Sequence, residues 1–365
     1  MRVFIRTDAS FQIGTGHVMR CLTLAHGLRK RGAECVFICR EHPGNLIYLI
    51  KKRGFRVKTL QHSPAWQARD LASPYAVWLG ADWQADAGQS KAVAGDAVMD
   101  WLIVDHYALD QRWEQKMREH TSRLMVIDDL ANRPHDCDLL LDQNLGRTTE
   151  DYIGLLGQAT EALLGPQYAL LGSDFAELRP RSLSRRAHNP QIKRLLITMG
   201  GVDERNATGQ VLDILKTCSS LPKLHITVVM GLHAPWLSRV QALGAEMPQF
   251  TEVLVGVTDM AQLMADSDLA IGAAGVTAWE RCCLGLPSFI LALADNQLSG
   301  ANALQNAGAA IAIEAAGQLL DYFGTSFTIR LGKKKLAKMS QSAAALTDGQ
   351  GCDRVAELII RTANA

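Results

Sequence analysis

The run from Ala9 to Met19, Ala-Ser-Phe-Gln-Ile-Gly-Thr-Gly-His-Val-Met, puts an imidazole on a Gly14-x-Gly16 turn at the mouth of a predicted helix. A helix start offers unpaired backbone N–H groups and the positive end of the helix dipole, which suit an anion. His17 adds a group able to take a proton near neutral pH. Gly14 and Gly16 lack Cβ atoms, so a phosphate or a sugar can approach the backbone there. Arg20 follows one helical turn later and Asp8 ends the preceding strand, so either could orient or bias His17. The plain alternative is a helix-entry turn with a satisfied surface histidine, since a single Gly-x-Gly is a short motif.

The second half repeats the device. Gly272-Ala-Ala-Gly275-Val-Thr277-Ala-Trp-Glu280 reads as a strand, a small-residue turn and a helix start, again exposing backbone donors to an anion. Glu280 in the first helical turn suits the dipole, and its carboxylate is also of the kind that accepts both hydroxyls of a ribose. Gly200-Gly201, followed by Asp203 and Asn206, is a third phosphate-loop candidate. Three such turns at strand ends, in two matched halves, predict a cleft between two open sheets. A long diphosphate ligand such as a nucleotide sugar fits it.

The elements that must hold these turns are legible as an alternation of short apolar runs and helical periods. Val3 to Ile5, Cys35 to Cys39, Phe55 to Thr59, Trp101 to Val104 and Leu124 to Ile127 read as strands, with helices over about 17–31 and 45–52. The two later strands end in polar residues, Asp105-His-Tyr107 and Asp128-Asp129, where parallel sheets collect ligands. The alternation breaks between Gly172 and Lys193 into a stretch with two prolines and several arginines, which reads as a solvated interdomain linker. It restarts at Arg194 to Thr198 and continues through helices and strands to a helical tail over 333–363. The chain of 365 residues is therefore expected to form an N-terminal Rossmann-like domain over 1–172, a linker over 173–192 and a C-terminal domain over 193–365 that includes the tail.

Composition narrows the partners. With 38 Lys plus Arg against 37 Asp plus Glu, no global field favours nucleic acid or an anionic membrane, so an anion site must be local. The eight cysteines show no paired C-x-x-C metal spacing and read as reduced packing residues. There is no secretory leader pattern and no run long enough to span a bilayer, so a soluble cytoplasmic protein is expected.

These residues together resemble the UDP-sugar hydrolases of pseudaminic acid biosynthesis, themselves similar to the glycosyltransferase MurG. The resemblance rests on Arg6-x-Asp8-x-Ser10, Ile13-Gly-x-Gly-His17-x-x-Arg20, Val104-Asp-His-Tyr107, Ile127-Asp-Asp129 and Leu141-Asp-Gln-Asn144. In the second half it rests on Met199-Gly-Gly-x-Asp203, Met260 to Ala265 with Ser267-Asp268, Ala274-Gly-x-Thr-x-Trp-Glu280 and Gly285-Leu-Pro287. It implies a GT-B fold of two Rossmann-like domains and removal of UDP from UDP-2,4-diacetamido-2,4,6-trideoxy-β-L-altropyranose by water, with a place in flagellin glycosylation. No metal and no cofactor are implied. Carried onto this sequence, His17 is the catalytic residue, with Tyr107 and Asn144 on the sugar side; separately, hydrolysis at C1 needs a base to activate water, which His17 can be, with Asp8 orienting it from its strand end and Gly14, Gly16 and Arg20 beside it. Glu280 matches a ribose ligand, Gly275 and Thr277 lie toward the diphosphate, Val257 toward the uracil, and Gln297 toward the diphosphate or sugar. The second-half motifs are shared with MurG-like transferases, so a GT-B glycosyltransferase and a nucleotide-sugar-binding module without turnover are the alternatives. Oligomeric state is left open.

Overall fold

Alternation along the first strand sets the architecture of the N-terminal half. In β1 (Arg2–Thr7), Val3 and Ile5 face one apolar cluster while Phe4 faces another on the opposite side of the sheet, so both faces are covered, as a parallel sheet requires. The computed structural model describes residues 1–63, 73–95, 99–188, 191–218, 221, 223–324 and 331–363. The chain divides into two units, Met1–Leu170 with Gly351–Ala365, and Leu171–Gln350.

In the first unit β1 is followed by α1 (Gly16–Lys30), β2 (Glu34–Arg40), α2 (Ile47–Lys52), β3 (Arg56–Leu60), α3 (Trp83–Ala94), β4 (Met99–Asp105), α4 (Gln111–Met117), β5 (Thr121–Ile127), β6 (Leu139–Asp142) and β7 (Glu161–Leu164). Every strand pairs in parallel in the order β3-β2-β1-β4-β5-β6-β7. Chain direction across the sheet reverses between β1 and β4, the switch point beside which such sheets bind ligands. The terminal helix Gly351–Ala363 belongs to this unit. Cys352, Val355, Ala356 and Ile359 lie along one helical stripe and join the cluster containing Leu24 and Leu28 of α1. A Cβ on Gly27 would come 2.9 Å from the Cys352 sulfur, so a glycine there allows the close approach.

The second unit is a six-stranded parallel sheet among its described residues. It comprises β8 (Arg194–Thr198), β9 (His225–Met230), β10 (Phe250–Val255), β11 (Leu269–Ala273), β12 (Ser288–Leu291) and β13 (Ala310–Ile313), in the order β10-β9-β8-β11-β12-β13. Its switch point falls between β8 and β11, bringing the Gly200 and Gly275 turns to one end of adjacent strands. Helices α5 (Ser173–His188), α6 (Ala207–Thr217), α7 (Leu237–Ala245), α8 (Met260–Asp266), α9 (Val276–Cys283), α10 (Leu298–Asn306) and the helices Leu320–Phe323 and Lys333–Leu346 also belong to it. The two sheets are Rossmann-like, as the sequence pattern predicts.

The segment expected as a solvated linker is instead largely α5. Asn189 and Pro190 lie outside the described residues. The arginines that make the segment look like a wet charge run hold down helix ends. Arg186, 6% exposed, donates to the carbonyls of Leu284 (3.0 Å), Ser267 (2.7 Å) and Met264 (2.9 Å). Arg179 reaches the Cys283 and Ala344 carbonyls, and Arg185 those of Ala265, Asp266 and Ser267. The last turns of α8 and α9 have carbonyls without intrahelical partners, and guanidinium groups satisfy them while complementing the dipole. The tail also differs from expectation: Lys333–Leu346 stays with the second unit while Gly351–Ala363 joins the first. The eight cysteines are unpaired and buried. Among the described residues no helix is long and apolar enough to cross a membrane.

Candidate active site

Strand parity decides which carboxylate meets His17. In β1 the side chains of Val3 and Ile5 lie on the α1 face, so Arg6 and Asp8 continue the opposite face begun by Phe4. In β4, Trp101 and Ile103 lie on the α1 face, and Asp105 continues that row. Thr7 pairs with Asp105 across the sheet. Asp105, and not Asp8, therefore meets the histidine: His17 Nδ1 lies 2.6 Å from Asp105 Oδ1.

Asp105 has no solvent exposure and anchors a network. Arg20 donates to it twice, from Nε to Oδ2 and from Nη2 to Oδ1, each at 2.6 Å, and reaches Asp129 Oδ2 through Nη1 at 2.9 Å. Burial works against the Asp105 charge, but Arg20 and His17 outweigh it and hold the carboxyl below the usual range. An ionised Asp105 accepts the Nδ1 proton, which leaves Nε2 as the acceptor nitrogen of the neutral ring. His17 Nε2 has no hydrogen-bond partner among the described residues. Tyr107 meets the imidazole edge to face at 4.6 Å between ring centroids and donates its hydroxyl to Asp129. Burial and that carboxylate push the phenol well above its ordinary value. Asn144 donates from Nδ2 to the Asp129 carbonyl at 2.8 Å. The structure thus brings His17, Arg20, Tyr107 and Asn144 into one connected cluster.

Asp8 belongs to a second network on the other face. Its Oδ1 accepts the Arg40 amide (2.6 Å) and pairs with Arg6 (2.8 Å), which also binds Asp86. Its Oδ2 faces His106 Nε2 at 3.3 Å and His42 Nε2 at 3.6 Å. His106 Nδ1 accepts the Ala108 amide, so Nε2 carries the proton and has no lone pair to offer a metal. Among the described residues no group of three His, Cys, Asp or Glu is arranged to hold a metal ion. Asp8 ties together the ends of β1, β2 and β4 and does not touch His17. Gly14, at φ +78°, closes the loop with its amide on the Ser10 carbonyl, and a Cβ on Gly14 or Gly16 would have no neighbour within 4 Å. That open space is what the sequence asked of these glycines.

In the second unit the two switch-point turns differ. The start of α6 is occupied by the chain itself: Asp203 accepts the Ala207 and Thr208 amides at 2.8 and 2.9 Å, and the Asn206 side chain accepts from Gly209. Gly201 is packed so closely that a Cβ on Gly231 would fall 1.9 Å from its carbonyl oxygen. This turn therefore lacks the free helix start of a phosphate loop. The start of α9 is different: Gly275 is its N-cap, exposed, with no side-chain cap, so those amides remain available to an anion. Thr277 Oγ1 accepts from Arg281, whose Nη2 donates to the Ala273 carbonyl at 2.7 Å and fixes the turn. Gly272 makes room for that guanidinium, because a Cβ there would lie 2.6 Å from Nη1. Glu280 is half-buried and makes no hydrogen bond among the described residues; burial pushes its carboxyl up to about 7. Val257, just past β10, is half-buried, and Gln297 uses Oε1 to accept the Leu293 amide at 3.0 Å.

Sequence reasoning missed Asp105 as the partner of His17 and Asp129 as the partner of Arg20 and Tyr107, although both were marked as polar strand ends. Counting parity from the apolar residues of β1 and β4 would have found Asp105.

No family model matches the chain. The fold is that of the GT-B glycosyltransferases. MurG of Acinetobacter baumannii superposes with a TM-score of 0.64 at 18% identity, over 99% of this chain and 99% of that one. The spinosyn rhamnosyltransferase SpnG in complex with thymidine diphosphate gives 0.64 at 18% identity over the whole of both chains. Within that fold the chain is a relative of the UDP-2,4-diacetamido-2,4,6-trideoxy-β-L-altropyranose hydrolase of Campylobacter jejuni. The two are 26% identical over 309 residues, 84% of this chain and 97% of the relative. The uncharacterized protein MJ1062 of Methanocaldococcus jannaschii is 26% identical over 296 residues, 80% of this chain and 55% of that protein, so the match spans about half its length. The spore coat polysaccharide biosynthesis protein SpsG of Bacillus subtilis is 22% identical over 98% of both. The resemblance drawn from the motifs is borne out.

Proposed function

We propose that this protein is an enzyme that hydrolyses UDP-2,4-diacetamido-2,4,6-trideoxy-β-L-altropyranose to UDP and the free sugar, in pseudaminic acid biosynthesis. The observation that carries the reading is the His17–Asp105 pair at the switch point of the first sheet: a buried carboxylate sets the tautomer of a histidine whose other nitrogen is unengaged. The relationship to the Campylobacter hydrolase supplies the substrate.

In this reading His17 Nε2 takes a proton from water as its oxygen attacks C1 of the sugar. The C1–O bond to the β-phosphate breaks on the opposite side, and UDP leaves with the bonding pair, giving inversion. Departing UDP is a stabilised anion and needs no proton. The second unit is assigned the nucleotide: the α9 start with Gly275 and Thr277 takes the diphosphate, Glu280 the ribose, Val257 the uracil through its backbone, and Gln297 the diphosphate or sugar. Gly201 retains at most a backbone contact, because the helix behind it is self-capped. Asp105 replaces Asp8 as the residue that orients the base.

Incubation with the UDP-sugar in water alone tests the reading. Release of UDP with no acceptor, undiminished in excess chelator, is the expected result, with His17→Asn lowering kcat about 10²–10⁴-fold while UDP affinity holds. The fold neighbours are glycosyltransferases, so acceptor-dependent release is the outcome that would replace hydrolysis with transfer. Binding with no release at all would leave only a nucleotide-sugar-binding module.

A further inference from the structure

Trp78 is placed against the dyad with unusual care for a half-exposed side chain. It sits on the short turn Ala76–Leu79. Leu79, 2% exposed, pins that turn into the apolar cluster of Phe4 and Val104. Gly80 follows at φ +68°, and a Cβ there would lie 2.7 Å from His42 Cε1, so the turn is held where only glycine can pass. The indole lies nearly parallel to the Tyr107 ring (centroids 5.7 Å, 26° between planes) and 6.5 Å from the His17 ring. Tyr75 closes on both Trp78 (4.8 Å) and Tyr107 (5.0 Å). The indole N–H has no hydrogen-bond partner among the described residues.

A ring whose task was packing would be buried, or would have its N–H paired. This one keeps an apolar surface and a donor beside the base. The combination suits a group that is apolar and carries only an acceptor in reach, the methyl and carbonyl of an N-acetyl substituent. A hydroxyl-rich face would ask for acceptors as well. The indole has none.

We infer that Trp78 is the specificity-determining platform for an N-acetylated, deoxygenated sugar, stacking on its apolar side and donating Nε1–H to an acetamido carbonyl. The inference rests on the nucleotide-sugar reading above and adds the residue that selects the sugar. The test compares wild type, Trp78→Ala and Trp78→Phe with the diacetamido UDP-sugar as donor and UDP as competitive inhibitor. Trp78→Ala is expected to raise KM for the donor about tenfold and Trp78→Phe, which keeps a ring but loses the N–H, about threefold, with the UDP inhibition constant unchanged in both. An unchanged KM in both variants overturns the platform, as does a UDP constant that rises in step with KM. Because Trp78→Phe preserves an aromatic ring in the turn, it decides the matter even where Trp78→Ala loosens the fold. Saturation-transfer NMR separates this from failure of the hydrolase reading. If wild type releases no UDP, saturation reaching the acetamido methyls in wild type but not in Trp78→Ala still supports the platform, and equal saturation in both overturns it.

Discussion

Replacing Asp105 by Asn isolates the interaction on which the catalytic reading turns. The carboxylate, itself without solvent exposure, accepts from His17 Nδ1 and twice from Arg20, all at 2.6 Å. An amide keeps the shape but offers one acceptor oxygen and a donor, so it cannot serve the two nitrogens of Arg20 and the Nδ1–H of His17 together. Breaking a buried pair by neutralising one partner costs about 3–5 kcal/mol. The lower end applies here, because Arg20 keeps Asp129 at 2.9 Å. About 3 kcal/mol corresponds to a fall in melting temperature of roughly 6–12 °C for a unit of this size. The catalytic loss is larger in proportion, since a histidine free to adopt the other tautomer presents a proton where the base is needed. A fall in kcat of about 10²–10³-fold is expected, with UDP affinity by calorimetry unchanged. On a His17→Asn background the same substitution should cost about twofold or less in kcat, because residues that act as a unit are not additive. Turnover within about threefold of wild type, alongside the loss of stability, would show that Asp105 supports the fold and not the base, and the reasoning from tautomer to chemistry would fail.

The remaining predictions concern pH and the nucleotide. His135 is buried between Glu114 (2.7 Å) and Asp128 (3.8 Å); burial alone would lower it, but the two carboxylates raise it from 6.5 to about 9. A histidine raised on folding stabilises fully below its unfolded value and loses that contribution as pH climbs through the folded one. Up to about 3 kcal/mol should therefore disappear between pH 6.5 and 9. Urea denaturation of wild type and His135→Gln across that range checks it, and parallel curves would sink the idea. Glu280, raised by burial from 4.5 to about 7, penalises the folded state as it ionises, so its contribution is intact below pH 4.5 and lost by rising through 7. Glu280→Gln should gain melting temperature relative to wild type between pH 5 and 8, and Glu280→Ala should weaken UDP binding while sparing kcat at saturation. Unchanged UDP affinity in Glu280→Ala removes the ribose assignment.

Much of this molecule was determined by the sequence alone, because the signals are local. The period of two in Val3-Phe4-Ile5, the 3.6-residue period after His17, and glycines at the mouths of helices specify strands, helices and turns without reference to distant residues. Their order specifies two Rossmann-like sheets, and a parallel sheet carries its loops to one end, so the places of the His17 and Gly275 turns at strand ends were legible. The pairings needed the tertiary structure. Asp8 and Asp105 are both acids at strand ends, and only the side of the sheet on which α1 packs makes Asp105 the partner of His17. Gly200-Gly201 and Gly275 look alike as sequence, and only the folded loop shows Asp203 capping its own helix while the α9 start stays open. The arginines of α5 look like a solvated linker until the carbonyls of α8 and α9 are brought beneath them. The tail helix likewise crosses from one half of the sequence to the unit of the other. In each case a residue's chemistry is written in its type, but its partner is chosen by which faces become neighbours, and that is settled only when distant segments share one core.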